Sequence, residues 1–319
     1  MTNIREIAKR AGVSVTTVSR VLNEHPYVAS DKRERVEAVI REMDYTPNRS
    51  ATNLARGKTN TIGVILPYND HPWFAKLVSG ILEEAFHKRY SVTLLPTNYD
   101  PVMEKKHLMR LKTKQVDGII VTSRANKLKD IEEFTEFGRI VVCEETNLTA
   151  FSSAYIDRFH AYQDGFRLLL QKGYKNIAFT TGRSEVISPS TRNKIRAFEE
   201  TFGRKADNTN LLRDCASVAD GMKAAKYFFG GDRPRPDAIY ATDDETAAGI
   251  IKYAKENGIR IPEDLAILGQ ENLPIGQVLD IATLDLHIEK LGKTAFTLFD
   301  NPDIQKKQIQ HEIIERKTL

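Results

Sequence analysis

The chain is poor in the residues that carry covalent and metal chemistry. Its two cysteines, Cys143 and Cys215, have no metal-ligand spacing and cannot form a disulfide framework for 319 residues. They read as small buried hydrophobes of a reducing compartment. The seven histidines, His25, His71, His87, His107, His160, His287 and His311, are scattered and read mostly as surface residues. No Gly-x-Ser-x-Gly elbow, Walker Gly-x-x-x-x-Gly-Lys-Ser/Thr loop, His-Glu-x-x-His or Gly-x-Gly-x-x-Gly occurs, so no catalytic residue, metal ligand or cofactor is expected. No apolar run approaches the ~20 residues that cross a bilayer. The opening Met1-Thr2-Asn3 leads into an amphipathic pattern, not the apolar stretch of an export signal. A soluble, cytoplasmic protein without membrane contact is the expectation.

What is present is globular: 41% hydrophobic and 8% aromatic residues, over a length that suggests two or three domains. Residues 1–58 hold 11 Lys/Arg against 7 Asp/Glu, and that surplus equals the whole net charge of +4. The rest of the chain is neutral. A cationic head on a neutral trunk suits contact with phosphates.

The head carries the most specific pattern. Ile4, Ile7, Ala8 and Ala11 follow the i, i+3, i+4, i+7 spacing of one helix face. Gly12 can end that helix in a left-handed conformation, and Ser14 can cap a second. The second helix would bury Val15 or Val18 with Val21 and Leu22, and present Thr16, Thr17, Ser19 and Arg20. Small donors and one long cation fit a major groove, so a DNA-reading helix-turn-helix is expected. Pro26 and Tyr27 mark a turn, and Ser30 opens a third helix with Val36, Val39, Ile40 and Met43 inward. Residues Ser50–Gly57 suggest two helical turns, too short to be stable alone.

Beyond Lys58, strands alternate with helices. Apolar runs fall at Thr61–Pro67, Ser91–Pro96, Asp117–Thr122, Ile140–Cys143, Ala154–Asp157, Asn176–Thr181, Asp237–Ala241, Leu265–Gly269 and Ala282–Leu286. Helical patterns between them include Trp73–Arg89, with Phe74, Leu77, Val78, Ile81, Leu82, Ala85 and Phe86 inward, and Ala161–Gln171, with Phe166, Leu169 and Leu170 inward. The expected class is α/β: an all-α headpiece (1–49), a linker (50–60) and a body (61–319) of two parallel-sheet subdomains. The halves are expected at 61–150 with 284–300, and 151–283 with 301–319.

These motifs resemble the lactose-repressor/galactose-repressor (LacI/GalR) family of transcriptional regulators over essentially the whole length. The run Ala11-Gly-Val-Ser-Val-Thr-Thr-Val-Ser-Arg-Val-Leu-Asn23, Tyr45-Thr-Pro-Asn-Arg49 and Gly57-Lys-Thr-Asn-Thr-Ile-Gly-Val-Ile65 carry the likeness. Val116-Asp-Gly-Ile-Ile120, Ala238–Gly249 and Ile261-Pro-Glu-Asp-Leu265 agree. Within the family the chain is similar to the catabolite control regulators of Gram-positive bacteria. The resemblance implies a periplasmic-binding-protein-like body of two Rossmann-like halves. It also implies a homodimer that represses carbon-catabolite or sugar-utilisation genes from a pseudo-palindromic operator on double-stranded DNA. By position, Val15, Thr16 and Arg20 would meet base edges, while Ser14, Thr17, Ser19, Asn23 and Tyr27 would hold phosphates. Asn48, Arg49 and Ala51 would also touch DNA. Leu54 would wedge into the central minor-groove step, or else contact only its dimer mate.

The resemblance further implies an effector cleft holding Trp73, Phe74, Asp157, Arg192, Lys194, Asp243 and Glu271. Lys194 stands where sugar-binding relatives have arginine, and lacks the planar fork that grips hydroxyl pairs. Glu271 replaces an aspartate, and the stacking ring is replaced by Ala216. Phe74 fits the core face of its own helix equally well. The effector would be a sugar or phosphosugar. Alternatively it would be serine-phosphorylated HPr, a phosphoprotein, docked near Lys76, Lys88, Arg89, Lys290 and Lys293, with Thr297 where an arginine is expected. A sugar-binding protein without a regulatory role would share the body but not the cationic head.

Overall fold

A computed structural model of the protein describes residues 3–23, 25–45, 57–231 and 234–319. The expected helix at Ser50–Gly57, and the DNA-contact positions Asn48, Arg49, Ala51 and Leu54, lie outside those residues apart from Gly57. The chain forms two compact units, 1–59 and 60–319.

Among the described residues the first unit holds three helices: α1 (Ile4–Ala11), α2 (Val15–Leu22) and α3 (Ser30–Glu42). Asn3 caps α1 through its side-chain oxygen, and Gly12 ends it at φ +64°. Ser14 Oγ accepts from Thr17 N at 3.1 Å and caps α2. Ile7, Ala8, Ala11, Val18, Val21, Val36 and Val39 form one core. Val18, not Val15, is the buried alternative: Val15 is 42% exposed.

The second unit holds two six-stranded sheets. The first contains β1 (Thr61–Leu66), β2 (Ser91–Pro96), β3 (Gly118–Val121), β4 (Arg139–Val142), β5 (Ser152–Ile156) and β11 (Lys306–Ile309), in the order β11-β5-β4-β3-β1-β2 and all parallel. The second contains β6 (Ile177–Thr180), β7 (Leu211–Leu212), β8 (Ala238–Tyr240), β9 (Ala266–Gln270), β10 (Ala282–Asp285) and β12 (Glu312–Ile314). Its order is β12-β10-β9-β8-β6-β7, with only β12 antiparallel. Strand alternation sends Ala238 and Tyr240 to one face and Ile239 to the other, so each sheet has an apolar layer on both sides.

Helices α4 (Pro72–His87), α5 (Pro101–Lys112), α6 (Leu128–Glu132) and α12 (Ile288–Asp300) accompany the first sheet. Helices α7 (Arg158–Gln171), α8 (Pro189–Phe202), α9 (Val218–Phe229), α10 (Asp244–Glu256) and α11 (Pro274–Val278) belong to the second half. Pro72, Pro101, Pro189 and Pro274 each open a helix, where the missing N–H would have no intrahelical partner. Each half contains one helix pair crossing on glycines. A Cβ on Gly80 of α4 would lie 2.1 Å from the Glu289 carbonyl oxygen of α12. One on Gly221 of α9 would lie 2.0 Å from the Thr246 carbonyl oxygen of α10.

Several expectations are corrected. Strand pairing puts β5 and β11 in the first sheet and β10 and β12 in the second, so the division at 150/151 and the assignment of all of 301–319 to the second half do not hold. The chain passes between halves after β5, after β10 and between β11 and β12. The strands β7, β11 and β12 went unanticipated because each is a sheet edge; β11 begins Lys306-Lys307-Gln308, all exposed. Leu82 and Phe86 of α4, expected inward, are 47% and 80% exposed, and Leu170 of α7 is also exposed. The α4 face that packs against α12 passes through Gly80, and Leu82 and Phe86 lie off that face.

Candidate functional site

Two regions concentrate chemistry, one in each unit. On α2, Thr16, Arg20 and Asn23 recur at helical spacing and are exposed, opposite buried Val18 and Val21. Val15 is exposed beside them. Ser14 and Thr17 hold each other, Oγ to Oγ1 at 2.9 Å, and Asn23 Nδ2 donates to Ser19 O at 2.8 Å. Tyr27, 84% exposed, stands on the turn that follows, its ring 5.7 Å from that of His25.

In the body a cavity of about 1270 Å³ opens at the carboxyl ends of the strands of both sheets. Its walls are the loops after β1–β6, β8 and β9, the place where doubly wound sheets take ligands. The seven residues expected in an effector cleft, Trp73, Phe74, Asp157, Arg192, Lys194, Asp243 and Glu271, all line it. Their local duties differ. Phe74 belongs to the core cluster as well as the wall. Asp157 caps α7 through His160 N at 3.1 Å and also bonds the His160 ring. Although partial burial opposes it, those bonds hold the Asp157 carboxyl below its usual range. Asp243 caps α10, accepting from Thr246 N at 2.7 Å. Arg192 is exposed and donates to the carbonyls of Glu185 and Val186.

Lys194 is only 3% exposed and forms part of the floor. Its Nζ donates to Ala241 O at 2.6 Å and lies 3.9 Å from the Tyr240 ring centre. Burial pulls its pKa down to about 7, against the opposing pull of Asp243 and Glu271. Glu271 is buried and its carboxyl is pushed well above the ordinary range by burial, with Asp243 adding to the effect.

Glu271 also sits on strained backbone, φ +88°, followed by Asn272 at +48°. Its surroundings fix it there. Lys76 Nζ from α4 donates to the carbonyls of Glu271 and Asn272 at 3.0 and 3.3 Å, a link from the first half to the second. Asp244, fully buried, accepts from Leu273 N at 2.7 Å and Thr283 Oγ1 at 2.8 Å. Burial raises its pKa to about 7.

Reasoning from the sequence missed several wall residues. Tyr68 and Tyr99 come from the loops after β1 and β2, and with Phe74 and Trp73 they form a continuous row of rings. The ring absent at Ala216 is therefore matched by rings on the opposite wall. Arg183 stacks on Tyr99 at 3.7 Å and Arg158 over Trp73 at 5.4 Å, each reaching from the second half to the first. Buried Glu104 of α5 accepts from the N–H groups of Ala125 and Asn126 and so shapes the Ser123–Lys127 wall. Of the seven histidines only His107 is buried, in keeping with the expectation of mostly surface residues. His71 caps α4, and His160, His287 and His311 stand at the crossovers between halves, paired with Asp157, Asp285, Glu312 and Asp164.

Comparison with known proteins identifies this architecture. Residues 3–48 match the profile of bacterial regulatory proteins of the lacI family, and residues 59–317 that of periplasmic binding proteins and the sugar-binding domain of the LacI family. The chain belongs to the LacI family. It is 48% identical to catabolite control protein B of Bacillus subtilis (strain 168) across 98% of each chain. It is 38% identical to the NTD biosynthesis operon regulator NtdR of the same organism, across 92% of this chain and 91% of that one. The lac repressor dimer bound to operator and the anti-inducer ONPF superposes with a TM-score of 0.85 at 21% identity, over 99% of this chain and 98% of that one. This LacI-family protein is a DNA-binding transcriptional regulator with an effector-binding body, not an enzyme. Among the described residues no helix is long and apolar enough to cross a membrane.

Proposed function

We propose that this regulator represses genes of carbon-source use as a cytoplasmic homodimer, and that a small hydroxyl-rich effector in the body cleft sets its operator affinity. The observation that carries the effector reading is a set of buried polar atoms on the cavity wall without a hydrogen-bond partner among the described residues: Trp73 Nε1, Thr181 Oγ1, Gln270 Oε1 and Glu271 Oε2. Burying such groups unpaired costs about 1–3 kcal/mol each, so a ligand that bonds them is strongly favoured. The row of rings beside them offers flat apolar faces to sugar C–H groups. Likeness to catabolite control protein B supports the choice of target genes. Exposed Leu82 and Phe86 on α4, and Leu94 on the edge strand β2, supply an apolar face for a second copy.

Serine-phosphorylated HPr is a less favoured effector. Lys88 is already paired with Asp300 at 2.7 Å, Lys293 with Glu83 at 2.8 Å and Glu289 at 3.0 Å, and Lys76 donates to backbone carbonyls. A phosphoserine would have to displace these partners. Val15, Thr16 and Arg20 are assigned to base edges, and Ser14, Thr17, Ser19, Asn23 and Tyr27 to phosphates. The test is a mobility shift of operator DNA, selected from genomic fragments, with and without candidate sugars. Arg20→Ala should weaken specific binding by about 1–3 kcal/mol and leave non-specific binding nearly unchanged. If operator and random DNA are distinguished equally well by that variant, the base-reading role of Arg20 fails.

A further inference from the structure

The charges around the cleft are unequally neutralised, and that imbalance narrows the effector's chemistry. Of its five carboxyl groups four are bonded or buried, and the fifth, Glu145, is exposed to water. Glu144 holds Arg124 in a two-point bond at 2.5 and 3.1 Å. Asp157 serves its helix cap and His160, and Asp243 serves its own cap. Glu271 is buried, and burial pushes its carboxyl well above the ordinary range, with Arg158 and Lys76 pulling the other way. The cations fare differently. Among the described residues Arg158, Arg183 and Arg192 have no carboxylate within salt-bridge distance: Arg183 rests on the Tyr99 ring, Arg158 faces the Trp73 ring and the Tyr162 hydroxyl, and Arg192 donates to carbonyls. Three guanidinium groups without an ion-pair partner among the described residues therefore line a cavity of about 1270 Å³. A neutral sugar would leave them so. A guanidinium stacked on a ring keeps its N–H edge directed outward, the geometry that receives a phosphate or carboxylate.

We propose that the effector is an anionic polyol, a sugar carrying a phosphate or carboxylate group, with its hydroxyls on the Trp73–Gln270–Glu271 side and its acidic group on Arg158, Arg183 and Arg192. This rests on the effector reading above and adds the sign of the ligand's charge. Since Arg158 and Arg183 belong to the second half while the rings they cover belong to the first, the anion would bind on residues that already bridge the two halves. Ligand charge would in this way be coupled to closure.

Trp73 is the chain's single tryptophan and stands in the cleft wall, so its fluorescence reports occupancy of this site in the full-length protein. The titration uses free hexoses, their 1- and 6-phosphates, the corresponding hexonic and hexuronic acids, and inorganic phosphate alone. At least one anionic sugar should bind ten-fold or more tightly than its neutral parent, and weaken as salt is raised. The phosphate and acid arms tell which group is preferred. Arg183→Gln and Arg158→Gln should each cut affinity for the anion about ten-fold, well beyond any change for the neutral parent, and Arg183→Lys should recover part of the loss. Equal affinity for neutral and anionic forms overturns the proposal, as does an Arg183→Gln variant that loses both equally. If neutral sugars alone bind and alter operator affinity, the charge assignment fails and the effector reading stands. If no sugar of either kind moves Trp73 or operator affinity, both fail.

Discussion

The crossing of α9 and α10 gives the sharpest test of how this body is held together. At Gly221 an added methyl would sit 2.0 Å from the Thr246 carbonyl oxygen and 3.0 Å from Gly249 Cα. An ordinary carbon–oxygen contact is about 3.3 Å, so the helices must part by roughly 1.3 Å. A gap of ~1 Å forfeits a quarter to a half of each contact along the seam, and overpacking costs about 1–3 kcal/mol, with a backbone obstacle that cannot turn aside placing this site at the upper end. Alanine returns about 1 kcal/mol of helix propensity. Gly221→Ala should therefore destabilise the body by a net of about 2 kcal/mol and lower its melting temperature by roughly 4–8 °C. Gly182→Ala is the control, because its methyl would meet only Thr242 at 3.9 Å. The two variants are compared by thermal melting of the full chain followed by circular dichroism. Since α10 begins with Asp244, whose carboxylate accepts from Leu273 N at 2.7 Å and so holds the loop after Glu271, Gly221→Ala should also blunt the Trp73 fluorescence response to effector. A Gly221→Ala protein that melts with wild type would refute the reading of the glycine as a spacer.

Two further outcomes follow from named bonds. Lys194 has a folded-state pKa of about 7, below its unfolded value of 10.5, so its burial destabilises the protein most below pH 7 and the penalty fades as pH rises toward 10.5. Against Lys194→Met, wild type should therefore gain about 2–3 kcal/mol of relative stability between pH 6 and pH 9, measured by urea unfolding; a difference that does not vary with pH contradicts the assignment. Ser14→Ala removes the α2 cap and should cost about 1 kcal/mol, seen as roughly five-fold faster amide exchange at Thr17 in the full chain. Unchanged exchange there would mean that the cap does not stabilise the helix.

The headpiece was readable because its signals are local: a cap at Ser14, a left-handed stop at Gly12 and apolar residues at helical spacing. Buried central strands such as β1 and β9 were equally plain, since both faces are covered and the run is continuously apolar. The edge strand β11 was not, because a Lys-Lys-Gln run pairs through its backbone while its side chains face water. Leu82 and Phe86 carry helical periodicity, yet the contact face passes through Gly80, whose missing side chain gives no hydrophobic signal. In the cleft, resemblance led to residues at matching positions, whereas nothing in the sequence assigns Arg158, Arg183, Tyr68 and Tyr99 to the cleft. Their proximity comes from loops of two separate sheets meeting.

The path of the chain through its two sheets has a consequence for assembly. Residues 306–314 hand one edge strand to each half in quick succession, and Thr318 is anchored between Ile267 O and Ala282 N. A nascent polypeptide would finish its DNA reader early in synthesis, yet both sheets would lack an edge strand until this closing stretch had emerged. Premature termination just ahead of it would leave β5 and β10 unpaired on their outer sides and strip Ala282 N and Ile267 O of their hydroxyl partner.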